Sequence, residues 1–500
     1  MMTATENGRQ VTLGELFGVD APAALAHRPV PAIAADSRRV GPGGLFLACA
    51  GERSHGLDYL ATALAGGAAI VAWEPVPGRE GPVLAPGAEC FPVPALGRRS
   101  GEIADRFFGQ PSAALDVIGI TGTNGKTTCT QLLARALETA GRPAGVIGTL
   151  GAGRVGALAD LGYTTPDAVE LQRALAALRD AGAAVVTMEV SSHALAQART
   201  RGVRFRAAGF TNLSRDHLDY HGSLEAYAEA KLKLFRSPGL GAAVVNGDDA
   251  QADAILALVP ADTATIVVGR RPGSRGRQQL RIANVVARPG GLELHVDGSW
   301  GPGVLASPLW GAFNADNLAL ALALLLSEDL ELDDAVAALA NVPAPAGRME
   351  VFKGSTDAPR VIVDYAHTPD ALAHALAAVR AHCEGQVWCV FGCGGERDRG
   401  KRPEMGRHAE TLADRVIVTD DNPRGEDGDA IVADIVAGMS APPRVERDRH
   451  TAIAAAIAEA GPADAVLVAG KGHEDYQLVG GERRDFSDRE LVRSLLEAGA

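Results

Sequence analysis

Cysteine is scarce in this 500-residue sequence: there are six, at Cys49, Cys90, Cys129, Cys383, Cys389 and Cys393, and no two form a CxxC pair. That density is too low for a disulfide scaffold and predicts reduced, mostly buried thiols. Cys393 sits in a glycine-rich strand exit, but the sequence places no base to activate it as a nucleophile. Positive charge is not in excess either: 48 Lys and Arg stand against 61 Asp and Glu, a formal net charge of -13 without a long single-sign block. This balance argues against a broad nucleic-acid footprint and leaves room for a local anion site. Long apolar runs are absent. The longest, near Leu318 to Leu326, is too short to span a bilayer and soon meets Ser327-Glu328-Asp329. The opening MMTATENGRQ lacks the basic start and apolar core of a secretory signal. A cytoplasmic protein without membrane insertion is expected. No fixed-period repeat or low-complexity tail competes with a globular reading.

What is present is ample apolar content, 47% of residues, in a chain too long for one cohesive core. Dividing by about 150 residues per domain gives about three domains. GLFLACAG and AAIVAWE read as strands flanking the helical LDYLATALAGG, and the proline- and glycine-rich stretch after Pro75 leads to a boundary near residue 110. From 111 to 345, apolar strands such as AAVVTMEVS and GAAVVN alternate with helices such as AVELQRALAALRDAG. That order predicts a largely parallel sheet with helices on both faces. RIANVVARPGGLELHVDG reads as an antiparallel two-strand appendage. NVPAPAGRME resembles a hinge, and VIVDYAH, QVWCVFG, RVIVTD and AVLVAG beyond it predict a third, doubly wound domain over 346–500. The fold class is thus α/β in three domains: 1–110, a central P-loop-like domain with a mixed sheet, and a Rossmann-like C-terminal domain.

The chemistry begins at TGTNGKTT, Thr121 to Thr128, directly after the strand Val117-Ile118-Gly119-Ile120. A glycine-rich bend opening a helix aims backbone N–H groups at phosphate, Lys126 adds a mobile positive charge, and Thr127 or Thr128 can set a hydroxyl beside magnesium. Gly122, Thr123, Asn124 and Gly125 complete the loop. The spacing departs from G-x-x-x-x-G-K-[ST], because Ile120 stands where that pattern has glycine and Gly122 lies nearer the lysine. Glu189 ends a strand and His217 follows another; either residue also suits a satisfied structural role.

Together with YTTPD (Tyr163–Asp167), EVSSHAL (Glu189–Leu195) and TNLSRDHLDYHG (Thr211–Gly222), this loop resembles the Mur ligases, ATP-dependent enzymes that add amino acids to the cytoplasmic peptidoglycan precursor. The resemblance covers nearly the whole chain. It implies ATP and Mg²⁺, an acyl-phosphate route to an amide, and a catalytic set of Lys126, Glu189, His217 and Lys231, with Thr127, Glu189, His217 and Lys231 toward metal. It also implies that Lys231 in EAYAEAKLKLF carries a carbamate; by pattern alone that helix has a solvated face. The implied peptide substrate is UDP-N-acetylmuramoyl-L-alanyl-D-glutamate. Ser37, Glu52, Arg53 and Ser54 match its UDP-end pocket, and Thr164, Thr165, Ser191, Gln197 and Arg199 match contacts farther along. Asn317, Arg348 and Asp364 match nucleotide contacts.

DNPRGE, Asp421 to Glu426, resembles the branch of the family that adds meso-2,6-diaminopimelate, although a strand-terminating proline turn reads the same way in isolation. In that resemblance Asp421, Asn422, Pro423 and Arg424, with Arg397, Gly470 and Glu474, hold the acceptor, and Arg424 pairs with the distal carboxylate that lysine lacks. Lysine addition, a folyl-polyglutamate-like ligase and a regulatory NTPase are the alternatives. A monomer is expected.

Overall fold

Asp116–Thr121 buries Val117, Ile118 and Ile120 completely. A strand apolar on both faces belongs inside a parallel sheet covered by helices on both sides, where each such residue contributes about 1.5–3 kcal/mol. In the computed structural model, which describes residues 10–52, 54–84, 87–271 and 278–498, it does lie there, between Val185–Glu189 and Phe205–Phe210. The chain forms two compact units, Met1–Gln279 with Ala323–Leu330, and Leu280–Leu322 with Glu331–Ala500.

In the first unit, the sheet around Asp116–Thr121 runs Ala157–Ala159, Gly151–Arg154, Ala144–Gly148, Val185–Glu189, Asp116–Thr121, Phe205–Phe210, Ala242–Asn246, Ala264–Gly269. The six strands from Ala144–Gly148 onward are parallel, and the two edge strands before them are antiparallel. The sequence reading did not foresee that edge, because GAGR and ALA are too short and too glycine-rich to carry a strand pattern. Helix Lys126–Thr139 packs on Ala144–Gly148 and Val185–Glu189. A separate four-stranded parallel sheet, Ile33–Ala34, Leu45–Ala48, Ile70–Trp73 and Glu89–Pro92, forms the N-terminal part of the same unit. The expected strands at Gly44–Gly51 and Ala68–Glu74 fall on it.

In the second unit, Gln278–Arg288, Gly291–Gly298 and Gly303–Ser307 form an antiparallel meander. The expected appendage therefore has a third strand that the glycine and proline around it concealed. A six-stranded sheet follows in the order Glu350–Lys353, Arg360–Asp364, Ala465–Ala469, Val387–Phe391, Arg415–Val418, Arg444–Val445. All its pairs are parallel except the first. The four strands expected from sequence are its interior. A hairpin, Tyr476–Val479 with Glu482–Asp485, stands apart from that sheet.

The cysteines are all free; Cys129, Cys389 and Cys393 are buried and the other three half-buried. Burial pushes the Cys393 thiol up to about 12, which keeps it protonated and inert. Among the described residues no helix is long and apolar enough to cross a membrane.

One ion pair ties the second unit together. Arg449 and Asp488 have fully buried side chains. Arg449 donates from Nε and Nη2 to the two Asp488 oxygens at 2.8 and 2.7 Å, and from Nη2 to the Ala469 carbonyl at 3.0 Å. This fork joins helices Arg449–Glu459 and Asp488–Ala498 to the carboxyl end of Ala465–Ala469. Asp488→Ala strands the guanidinium in the interior and is expected to cost ~3–5 kcal/mol. Denaturant unfolding followed in this unit checks it, and a loss under about 1 kcal/mol would contradict the role assigned to the pair.

Candidate functional site

The carboxyl ends of the parallel strands gather the first unit's polar groups, as expected where the strand order reverses direction around a central strand. The turn after Thr121 is held from the segment that follows Phe210. Thr123 N–H donates to the Asn212 carbonyl at 2.8 Å, Asn124 N–H to Asn212 Oδ1 at 3.0 Å, and Thr211 Oγ1 to the Asn124 carbonyl at 2.6 Å. Gly122 has φ +147°, and a Cβ there would collide with the Thr211 hydroxyl. Only glycine lets the two segments approach this closely. Lys126 folds back over the turn, its Nζ donating to the carbonyls of Gly122 and Thr123 at 2.9 and 2.8 Å. Thr128 is buried on the same first helical turn.

Glu189 is 2% exposed and fully engaged. Thr127 Oγ1 donates to its Oε2 at 2.9 Å; Thr149 donates from its N–H to Oε1 at 2.8 Å and from Oγ1 toward Oε2 at 3.2 Å. Thr149 Oγ1 also lies 3.0 Å from Thr164 Oγ1. Thr165 donates to the Glu189 carbonyl at 2.8 Å and accepts from Ser191 N–H at 3.1 Å. The carboxylate that ends one strand is thereby coupled to the Thr164-Thr165 loop. Sequence reading missed Thr149; its only signal is a hydroxyl just past the strand end Gly148.

Lys231 is 2% exposed, on helix Leu224–Leu232, whereas Lys233 is exposed in the short 3-10 turn that follows. The solvated-face reading of this segment therefore fails at Lys231. Its Nζ donates to the Gly122 carbonyl at 2.7 Å and lies 4.2 Å from the Tyr227 ring centre. Burial, reinforced by the charge of Lys126, lowers its pKa to about 6, so the amine is mostly neutral near pH 7. His217 has φ +51° and packs 4.9 Å from His193 and 6.1 Å from Tyr227 between ring centres. Tyr227 OH in turn lies 3.2 Å from Thr123 Oγ1. Among the described residues no three His, Cys, Asp or Glu side chains form a metal-binding group. The Thr127 hydroxyl and the Glu189 carboxylate do adjoin at the head of helix Lys126–Thr139, and oxygen donors of this kind fit Mg²⁺.

A polar chain runs from there to the loop that follows strand Leu45–Ala48. Arg199 donates to the Thr165 carbonyl at 2.8 Å and to Gln197 Oε1 at 2.9 and 2.6 Å; Gln197 Nε2 donates to Tyr220 OH at 3.1 Å, and Tyr220 OH donates to Glu52. Ser37 is buried at the head of a short 3-10 turn, and Ser54 is exposed, 3.5 Å from Tyr59 OH. Arg53 lies outside the described residues.

In the second unit Asp364, Asp421–Arg424 and Gly470–Glu474 sit at or just past strand carboxyl ends, while Asn317 lies on a helix and Arg348 precedes a strand. Asp364 accepts from Met349 N–H at 2.7 Å and Ala366 N–H at 2.9 Å; burial holds it above the usual carboxylate range, against the pull of Arg348. Gly470 N–H donates to the Asp364 carbonyl at 3.1 Å. The Arg348 guanidinium lies 4.6 Å from the Tyr365 ring centre. Asn317 is buried on helix Phe313–Leu326 and donates to Asn314 Oδ1 at 2.9 Å. Asp421 is buried, and its carboxyl is held above the usual range by that burial. Asn422 Nδ2 donates to Glu474 Oε2 at 2.9 Å, and fully buried Lys471 donates to Asn422 Oδ1 at 3.1 Å and Glu474 Oε2 at 3.3 Å. Lys471, between Gly470 and Glu474, was not singled out from sequence. Arg424 Nη1 donates to the Gly395 carbonyl at 2.8 Å, Pro423 O accepts from Glu426 N–H at 3.1 Å, and Arg397 is exposed.

Gly122→Ala forces both backbone strain and the clash with Thr211, together worth about 1–3 kcal/mol. ATP titration is expected to show about ten- to hundredfold weaker binding. Unchanged affinity would contradict the role given to this turn.

Comparison with known proteins gives the family. Residues 29–107 match the model described as Mur ligase family, catalytic domain; 120–325 match the Mur ligase middle domain; and 347–472 match the Mur ligase, glutamate ligase domain. The hairpin Tyr476–Asp485 lies beyond the last of these. A UDP-N-acetylmuramoyl-L-alanyl-D-glutamate--2,6-diaminopimelate ligase of Alkalilimnicola ehrlichii is 50% identical over 484 residues, 95% of this chain and 96% of that protein. A protein of the same name from Xanthomonas campestris pv. campestris is 48% identical over 471 residues, 93% and 94% of the two chains. A solved structure of that name superposes with a TM-score of 0.73 at 36% identity, covering 98% of this chain and 99% of its own. With half of its residues shared over nearly its full length, and an ATP-type turn backed by a buried carboxylate, the chain belongs to the Mur ligase family.

Proposed function

We propose that this protein is an ATP-dependent ligase that joins meso-2,6-diaminopimelate to a D-glutamate carboxylate of UDP-N-acetylmuramoyl-L-alanyl-D-glutamate, in peptidoglycan precursor synthesis in the cytoplasm. The observation that carries it is the pairing of a Lys126 phosphate turn with the buried Glu189 carboxylate, in a chain that keeps DNPR at Asp421–Arg424. The three segments 1–110, 111–345 and 346–500 are read as the regions for the UDP substrate, for ATP and for the amino acid, working as a monomer.

In this reading the substrate carboxylate attacks the terminal phosphorus of ATP. The bond to the bridging oxygen breaks, ADP departs, and an acyl phosphate remains. The acceptor amine then attacks the acyl carbon; a C–N bond forms, the C–O bond to phosphate breaks, and the amine loses a proton. Lys126 and the N–H groups at the head of helix Lys126–Thr139 screen the converging negative charge. Mg²⁺, when bound, supplies further charge neutralisation. Thr127 and Glu189 would hold it, with His217 and a modified Lys231 assigned to the same set by the family resemblance. Thr149 fixes the Glu189 carboxylate, while Ser37, Glu52, Arg53, Ser54, Thr164, Thr165, Ser191, Gln197 and Arg199 are read as contacts along the UDP-linked peptide. Asn317, Arg348 and Asp364 are read as nucleotide contacts. Arg397, Asp421, Asn422, Arg424, Gly470 and Glu474 are read as the acceptor site, where Arg424 takes the distal carboxylate.

Purified protein supplied with ATP, Mg²⁺, the UDP-linked dipeptide and meso-diaminopimelate is expected to yield the UDP-linked tripeptide. Lysine should react at least about a hundredfold less efficiently, since it leaves the distal-carboxylate contact unmade. Mass spectrometry of matched reactions decides it, and equal turnover of the two amino acids would refute the acceptor assignment.

The same reading makes Lys231 a carbamate, formed when its amine adds carbon dioxide and releases a proton. Its support is a buried side chain beside the phosphate turn, whose mostly neutral amine is the form that adds carbon dioxide and whose carbamate would bring the negative charge that suits Mg²⁺. Stripping carbon dioxide and bicarbonate from the buffer is expected to lower the ligation rate reversibly, and the residual rate of Lys231→Ala should not respond. A parent enzyme indifferent to carbon dioxide would count against the modification.

A further inference from the structure

The loop that carries Asp421-Asn422-Pro423-Arg424 does not hold its shape alone. Arg424 is a non-glycine residue at φ +55°, a conformation that persists only where neighbours impose it. The neighbour is the hairpin Tyr476–Val479/Glu482–Asp485, and it reaches three of the four loop residues. Gln477 Nε2 donates to the Asp421 carbonyl at 2.8 Å. Leu478 N–H donates to Asn422 Oδ1 at 2.9 Å. Arg424 N–H donates to the Leu478 carbonyl at 2.8 Å, and Gly480 N–H returns a bond to the Arg424 carbonyl at 2.7 Å, so that Arg424 pairs with Val479 as an isolated parallel bridge.

These contacts have two chemical consequences. A backbone N–H can only donate, so Leu478 compels the Asn422 amide to present its oxygen to the hairpin and its Nδ2 to Glu474. The backbone of Arg424, held on both sides, aims its side chain along Gly395, where Nη1 meets the carbonyl. The hairpin itself turns through Gly480 and Gly481, at φ +58° and +83°, the two left-handed residues that a tight two-residue hairpin turn demands. Its outer strand, Glu482–Asp485, is exposed along its whole length. An isolated two-stranded hairpin is marginal on its own, and here the inner strand's free edge is bonded to the loop.

We propose that this hairpin is a positioning clamp that sets acceptor selectivity, by fixing the directions of Arg424 and of the Asn422–Glu474 pair toward the two charges on the distal carbon of the diamino acid. The inference rests on the ligase reading above and adds to it a structural element that touches no reacting atom. It also makes selectivity a property of the Gln477 side-chain bond and the backbone hydrogen bonds of residues 478 and 480 rather than of the DNPR side chains alone.

The test compares Gly480→Pro with Gly480→Asn. Proline removes the N–H that bonds Arg424 and cannot adopt the positive φ. Asparagine keeps the N–H and tolerates the left-handed region. With Gly480→Pro, KM for meso-diaminopimelate is expected to rise about tenfold or more and the preference over lysine to fall by a similar factor, while KM for ATP and for the UDP-linked dipeptide stays within about twofold. Gly480→Asn should restore parent values. Should Gly480→Pro not fold, Gln477→Leu, which deletes only the side-chain bonds to the Asp421 carbonyl at 2.8 Å and the Asp420 carbonyl at 3.5 Å, is expected to shift the same two quantities in the same direction by a smaller factor. The clamp is overturned if Gly480→Pro or Gln477→Leu leaves acceptor KM and preference unchanged, if all three KM values rise in proportion, or if the asparagine variant is as impaired as the proline one. Failure of the unaltered chain to ligate the diamino acid would instead strike the functional reading itself, and the clamp with it.

Discussion

Everything in the first unit depends on how closely two backbone segments approach at the head of helix Lys126–Thr139. Gly122 rests against Thr211, and the hydrogen bonds from Thr123 and Asn124 to Asn212 close the turn. Because that turn is built from backbone groups locked by a neighbouring strand exit, its N–H donors are ordered before any ligand arrives, which is the condition for strong electrostatic stabilisation of a charged reaction. Lys126, Thr127 and Lys231 all take their positions from it, and Thr127 passes the constraint on to Glu189.

The second unit repeats the solution with different chemistry. Its parallel strands also deliver polar groups at their carboxyl ends, but here paired opposite charges, Lys471 against Glu474 and Arg449 against Asp488, offset the cost of burial. Such a surface suits a zwitterion: guanidinium and carboxylate groups stand on one loop system, able to meet both signs on a small amino acid. In the proposed function, phosphate chemistry and amino-acid recognition fall to separate sheets, each with its own core.

Much of this was legible in the sequence because it is local. A strand, a glycine bend and a lysine within eight residues announce a phosphate turn, and apolar runs of five or six residues between helical segments announce the parallel sheets. What stayed hidden was long-range pairing. Thr149 meets Glu189 across 40 residues, Tyr220 meets Glu52 across 168, and Leu478 meets Asn422 across 56. Those partnerships follow from strand order, with Ala144–Gly148 beside Val185–Glu189, and strand order is not written in periodicity. Lys231 shows the same limit from the other side: helical spacing left it on a solvated face, and only its packing beside Tyr227 and Gly122 made it a buried, largely neutral amine.

The central claim is that a carboxylate is activated by phosphoryl transfer at the Lys126 turn before an amine captures it. The most direct measurement places heavy oxygen in the D-glutamate carboxylates of the UDP-linked dipeptide and follows the label through complete turnover. Transfer of one labelled oxygen into the released inorganic phosphate is predicted, since the C–O bond to phosphate must break when the amide forms. Unlabelled phosphate, released while the amide accumulates, would contradict it.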